Sequence, residues 1–339
     1  MSEKVIIRSA TIDLHGDYIP LKMLQDYVVA INGNTKMRYL ANHRRDIPPI
    51  GYFDNAEIRE KEGIHHVLVE PILYKNRTVI PWDNKLFMEE TSIPVSFIGH
   101  EKKDNFRIAV DKNNFPSMAA LHETGKKLVK LYEEEVSLQL NTRKNLIPDP
   151  QVIVTLANYA FILYPLLKPF LSKMGEKIAE DIADDLYNTC KSNFKVVKKK
   201  LSESVRLIRG EMIPKNKVLT TIFEIPGTPY IELQIKSDDP TKIEKGLSAA
   251  NLFRVHKKIM NLQLQLEIVE IYFFLNTKDK WEFSYLITQD GKIVGTNNAF
   301  RKRDRLVQRI QLSPTKAFSL GADGVQYERR ASISPPDGI

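Results

Sequence analysis

Residues 39–71 read YLANHRRDIPPIGYFDNAEIREKEGIHHVLVEP, and their punctuation decides how the first third of the chain folds. An apolar run ends at Ala41, and Asn42-His43 and two arginines follow. Pro48-Pro49-Ile50-Gly51 then imposes a turn, because proline fixes φ and glycine accepts backbone conformations closed to other residues. An acidic strand over 53–60, a break at Gly63 and a second strand over 64–70 come next. His43 therefore sits where a strand gives way to a loop. That position suits a catalytic base on a β-scaffold and equally an ordinary surface histidine beside a turn.

Outward from this stretch, VIIRSATI, MRYLA, HHVLVEPILY, SIPVSFIG and FRIAV are short and rich in β-branched and aromatic residues. A helix over about 20–31 interrupts them, with Pro20 at its first position and Leu21, Leu24, Tyr27, Val28 and Ile31 at helical spacing. The expectation is a β-rich, barrel-like domain over 1–115. Residues 116–140 read as helical, and Leu146-Ile147-Pro148-Asp149-Pro150 reads as a linker at a domain boundary. Residues 152–171, VIVTLANYAFILYPLLKPFL, form the most apolar stretch, long enough for a membrane span but interrupted by Pro165, Lys168 and Pro169. A buried helix and a membrane-seeking one are both open. From Gly175 to about 209 an amphipathic helix is expected, acidic at its start and basic at its end, as the helix dipole favours.

The remainder, about 216–320, has the order ββαβββ: VLTTIFEI, YIELQIK, a helix from Pro240 to about 264, then EIVEIYFFLN, KWEFSYLIT and a short strand after Gly291. The fold class is thus α+β, with a β-rich domain (1–115), central long helices (116–215), a C-terminal α+β domain (216–320) and a disordered tail (321–339).

The chain has 339 residues, one cysteine (Cys190) and a formal net charge of +8. One cysteine excludes an internal disulfide framework and a cysteine-rich zinc site. No secretory leader pattern opens the chain, so a reducing, cytoplasmic location is expected, with the inner membrane face as the alternative. The charge favours anionic partners and says nothing of fold. It concentrates in residues 191–210, with seven Lys/Arg against one Glu, and in 301–309, with five against one Asp. Lys195, Lys198, Lys199, Lys200, Arg301, Lys302 and Arg303 are the candidate contacts to phosphate or lipid, against the plainer reading of solvated helix faces.

No zinc, P-loop, dinucleotide or EF-hand pattern occurs, so no metal and no cofactor are expected. His65 and His66 adjoin on a strand and point to opposite faces, which prevents them from sharing a metal. Glu232-Leu233-Gln234-Ile235-Lys236, with Asp238 beyond, has the acidic–x–Lys outline of metal-dependent nucleases. Its alternation is also that of a half-buried strand with no chemistry. Trp281, Phe283 and Tyr285 would share one strand face and read first as core, although aromatic and basic residues together can hold nucleic acid.

The first third resembles the phage prohead (capsid maturation) protease family. The residues that carry the likeness are Leu14-His15-Gly16-Asp17, the helix at Pro20-Leu21, Asn42-His43, Pro49-Ile50-Gly51, the strand 53–60, Gly63 and the strand 64–70. The resemblance implies a β-rich domain in which His43 is the general base for a serine on a later strand, of Glu-x-Ser-Leu-Val type and followed by proline. Ser96 in SIPVSFIG is one candidate, and Ser137 in EEEVSLQL is another with the right letters in a helical context. FRIAVDKNNFP has the proline and no serine.

Three functional classes follow. The first is a non-catalytic recognition or assembly protein of bacterial or prophage origin, with a degenerate protease-like domain, in the setting of phage defence. It would have a phage or self protein as partner, oligomer contacts through helices 152–209 and an anionic membrane surface nearby. The second is an active serine peptidase using His43. The third is a nucleic-acid-binding protein, whose affinity would fall steeply with salt.

Overall fold

A computed structural model describes residues 4–12, 18–40, 44–74, 76–82, 85–91, 96–97, 106–132, 141–142, 150–156, 198–263, 266–311, 318–321 and 324–327. The fold is mixed α+β with a curled half-barrel sheet. The chain divides into two units, residues 1–98 with 297–339, and residues 99–296.

In the first unit, turn chemistry sets the strands. β1 (Val5–Ser9), β2 (Thr35–Tyr39), β3 (Gly51–Lys61), β4 (Ile64–Leu73) and β7 (Ser96–Phe97) form a sheet in the order β1-β4-β3-β2-β7. Glu62 and Gly63, both at positive φ, make the two-residue turn between β3 and β4, a conformation whose twist matches that of the flanking strands. A bulge interrupts β3 between Asp54 and Glu57, with Asn55 at φ 50°. Helix α1 (Leu21–Asn32) closes over this irregularity: Asn32 donates to the Ala56 carbonyl and accepts from its amide, at 2.8 and 2.7 Å. The groups that a bulge leaves unpaired are thereby satisfied.

Leu24 and Ile31 of α1 pack with Ile7, Tyr39, Phe53, Val67 and Val69 in the core, each fully buried apolar side chain contributing about 1.5–3 kcal/mol. Val307 reaches the same core from helix α6 (Asn297–Gln311). Two hairpins complete the unit. β5 (Asn76–Trp82) and β6 (Lys85–Thr91) pair without slippage, and β16 (Phe318–Gly321) pairs with β17 (Gly324–Tyr327). The second hairpin replaces the expected disordered tail as far as residue 327, and residues 328–339 lie outside the described residues.

The second unit is one mixed sheet with helices. Its strands are β8 (Phe106–Val110), β9 (Asn141–Thr142), β10 (Gln151–Leu156), β11 (Thr220–Ile225), β12 (Tyr230–Lys236), β13 (Ile268–Leu275), β14 (Trp281–Thr288) and β15 (Ile293–Thr296). They lie in the order β9-β8-β10-β11-β12-β13-β14-β15. Its helices are α2 (Met118–Tyr132), α3 (198–211), α4 (Thr241–Gly246) and α5 (Ala249–Gln263). From Thr220 to Thr296 the elements run β11-β12-α4-α5-β13-β14-β15, with the helix divided at Leu247-Ser248, whereas the ββαβββ domain expected over about 216–320 had no helix at Asn297–Gln311.

Residues 152–156 are a strand and not the start of a long helix: β10 is antiparallel to β8 on one side and parallel to β11 on the other. A strand covered on both faces reads as a continuous apolar run, which periodicity alone does not distinguish from a buried helix. Residues 157–171 lie outside the described residues, as do 133–140 of the expected helix 116–140 and 175–197 of the amphipathic one. No helix of the described residues is long and apolar enough to cross a membrane. The expected boundaries near 115 and 215 are also absent, because β8, β10 and β11 are neighbours in one sheet. Ser204 of α3 bonds the Tyr132 hydroxyl of α2 at 2.9 Å within the same unit.

Candidate functional site

The Pro-Pro-Ile-Gly turn is a joint of the first unit. The Ile50 amide donates to the Tyr39 carbonyl at 2.9 Å and closes the base of the β2–β3 connection, which carries His43. The Tyr74 amide in turn donates to the Ile50 carbonyl at 3.1 Å. The Pro49 carbonyl accepts a 2.9 Å bond from Nη1 of Arg303, whose side chain is buried. Gly51 has no room for a side chain, since a Cβ there would lie 1.9 Å from the Ile72 carbonyl oxygen. Tyr39 packs on Phe53, ring centroids 4.8 Å apart, and burial pushes its hydroxyl pKa upward.

Asn42 and His43 lie outside the described residues, as do Ser137 and Lys195. Ser96 is placed by its backbone: it pairs with Thr35 at the β7 edge of the sheet. A different serine meets a different histidine. Ser9 Oγ lies 2.7 Å from His66 Nδ1, across the β1–β4 pair. This distance satisfies a nucleophile–base pair. The third group that would orient the base is not supplied among the described residues, because the one histidine–carboxylate contact there joins His65 to Glu60 at 3.7 Å. His65 and His66 pair with Glu60 and Arg59 on successive positions of β3, as alternation along a strand requires.

In the second unit, one face of the sheet is polar. Arg107, Thr155, Glu224, Glu232, Tyr272 and Tyr285 stand opposite one another in sequence across six neighbouring strands. Thr155 donates to Glu224 at 2.8 Å. Glu232, 1% exposed, accepts from Gln234 at 2.6 Å and from the Tyr230 hydroxyl at 3.2 Å. Glu270, equally buried, accepts from the Tyr272 hydroxyl at 2.6 Å, and the Tyr272 ring stacks on Tyr285 at 4.2 Å. Carboxylates oriented by phenol and amide donors make a fixed array of acceptors whose members resist replacement, because an unpaired buried acceptor is costly. Among the described residues no three metal-type ligands converge.

Glu232 and Gln234 were expected on the solvated side of a half-buried strand. They are buried instead, and so are Ile231, Leu233 and Ile235 on the other side. Ile235 there meets α4: a Cβ on Gly246 would lie 3.1 Å from its Cδ1. Lys236, the third member of the acidic–x–Lys outline, is exposed at the strand end, away from the buried pair.

The two basic segments differ in use. In α3, Lys199 is exposed and Lys198 half-buried, while Lys200 lies 5.8 Å over the Tyr132 ring. Arg209 is held by Asp238 at 2.6 Å and by the Lys215 and Lys217 carbonyls. In α6, Arg301 and Lys302 are exposed. Arg303 is corrected as a phosphate or lipid contact: it is 4% exposed, stacks over Phe300 and bonds Pro49 and Asp304. Arg77 reaches the same Asp304 with two bonds, at 2.8 and 3.1 Å, and also covers Phe300.

Ser92 is a further serine near the strands of the first unit in sequence. β6 ends at Thr91 and the chain continues Ser92-Ile93-Pro94, so Glu90-Thr91-Ser92-Ile93-Pro94 has the Glu-x-Ser order with proline close behind. The signal was the spacing of Glu90 and Pro94 about Ser92; Ser92 itself lies outside the described residues. The buried array around Glu232 and Glu270 left no comparable trace, because its members come from strands far apart in sequence. Comparison of the chain with protein-family models, curated proteins and solved structures finds no match.

Proposed function

We propose that the chain is a recognition or assembly protein of bacterial or prophage origin, acting in phage defence, with a protease-like first unit that binds a protein partner and does not cleave it. In this reading the five-stranded sheet and the β5–β6 hairpin belong to one barrel-like domain of the prohead-protease kind. The observation that supports it best is the structural use of Pro49-Ile50-Gly51. The turn is held by a buried arginine on one side and a carbonyl contact on the other, so packing is a sufficient reason for the family-like letters. Large apolar side chains in the first two elements and between them, Ile6, Ile12, Tyr18, Met23 and Val29, stand exposed and supply a surface suited to a protein partner.

A second reading, an active serine peptidase, is favoured by Glu90-Thr91-Ser92-Ile93-Pro94, with His43 as base and Ser92 as nucleophile. One experiment separates the two. The full chain is incubated with a fluorophosphonate probe beside its His43→Ala and Ser92→Ala forms. The recognition reading expects no labelling in any of the three. Labelling of the parent chain that either substitution abolishes sinks it and establishes the peptidase.

A further inference from the structure

Among the described side chains, helix α6 turns only cations and amides fully to solvent. Its exposed positions are Asn297, Asn298, Arg301, Lys302, Arg305 and Gln308. Ala299 and Phe300 are buried and Val307 packs against the core. The helix has one carboxylate, Asp304, and both Arg77 and Arg303 are bonded to it. No ion pair among the described residues engages Arg301 or Arg305. The contrast with α3 is direct: there Arg206 lies 3.6 Å from Glu203, and Lys200 and Arg209 are taken up by Tyr132 and Asp238. Arg301 and Arg305 thus leave their charge at the surface of α6.

We propose that the outer face of α6 binds the sugar–phosphate backbone of duplex nucleic acid without regard to sequence. Arg301 and Arg305 are one turn apart, about 6 Å along the axis, and a guanidinium fork takes phosphate oxygens in pairs. Asn298 and Gln308 are amides of the kind that bond phosphate and sugar beside such arginines. The exposed face carries no aromatic ring on which the bases of a single strand would stack. Among its described exposed positions none is an apolar side chain to enter a bilayer, which an interfacial helix requires. The net charge of +8 adds long-range attraction to the same partner. The proposal stands apart from the protease-like reading, since it uses neither His43 nor any serine.

The test is fluorescence anisotropy of a short mixed-sequence DNA duplex with the full chain, titrated between about 50 and 200 mM salt. Beside it run Arg301→Gln/Arg305→Gln, a control Lys198→Gln/Lys199→Gln in the other unit, and flotation with vesicles containing phosphatidylserine. Circular dichroism and thermal melting verify that each variant folds. The expected result is salt-sensitive duplex binding that the α6 pair weakens about tenfold or more near 0.15 M, with the salt slope reduced by about 2. The control pair should change affinity less than twofold. Absence of duplex binding at the lowest salt overturns the proposal. So does equal weakening by both pairs, or flotation with vesicles in a chain that ignores the duplex.

Discussion

At Gly51 the backbone of β3 passes so close to Ile72 that no other residue fits. Gly51→Ala must push two paired strands apart, and we expect a loss of about 3 kcal/mol, at the upper end of overpacking costs, read as a lowered denaturation midpoint of the first unit. Tyr272→Phe leaves the buried Glu270 carboxylate short of a donor without emptying any volume. It should cost the second unit about 1–3 kcal/mol in urea unfolding; an unchanged midpoint would show that the array is not holding the sheet. His256, in α5, reports on acid. Burial lowers its pKa from 6.5 to about 4, so the native imidazole stays neutral where the unfolded one is protonated. Between those values the unfolded state binds more protons, and stability falls as pH drops from 6.5 toward 4, by about 3 kcal/mol in all. Unfolding at graded pH should show this slope in the parent chain, and His256→Leu should flatten it.

Among the elements, β10 is the one whose nature was misread, and it makes the clearest prediction. As a strand with neighbours on both sides, its amides at Val152–Leu156 should be among the slowest to exchange hydrogen in the second unit, and Val154→Asp should unfold that unit. An exposed or membrane-bound helix there would exchange differently and tolerate the carboxylate at its polar face. The strands β11 to β15 were legible because each is short, carries β-branched or aromatic residues and lies near Pro, Gly, Asn or Asp punctuation. β10 was not, since VIVTL runs without Gly or punctuating polar residues into further apolar sequence, and a long apolar run does not distinguish a strand from a buried helix. The hairpin β5–β6 was not among the strands read from sequence, its apolar residues being interspersed with Arg77, Lys85, Glu89 and Glu90. Helix α6 was not legible as a helix, since 301–309 showed only a cluster of charge, and the burial of Arg303 was hidden because its partner Pro49 lies elsewhere in the chain and charged residues are seldom buried unless paired.

For the whole molecule, the first unit is made from two separate stretches of chain, and α6 belongs to it. A chain ending at residue 296 would lack Arg303, the partners of Arg77 and Val307 of the core. It should retain the second unit, with the first melting earlier or not at all, as differential scanning calorimetry would show. The division into units was hard to read from sequence because the punctuation that suggested boundaries, Leu146-Ile147-Pro148-Asp149-Pro150, falls just before a strand inside the second sheet. Local signals mark turns well; they do not say which strands will be neighbours.

The bond between Arg303 and Pro49 spans 254 residues of sequence, and that separation sets an order on biosynthesis. Everything needed for the second unit leaves the ribosome before Arg303 does. At about 5–20 residues per second, the turn at Pro49 waits roughly 13–50 s for its arginine. During that interval the nascent first unit has β1 to β7 and no Arg303 to hold its turn.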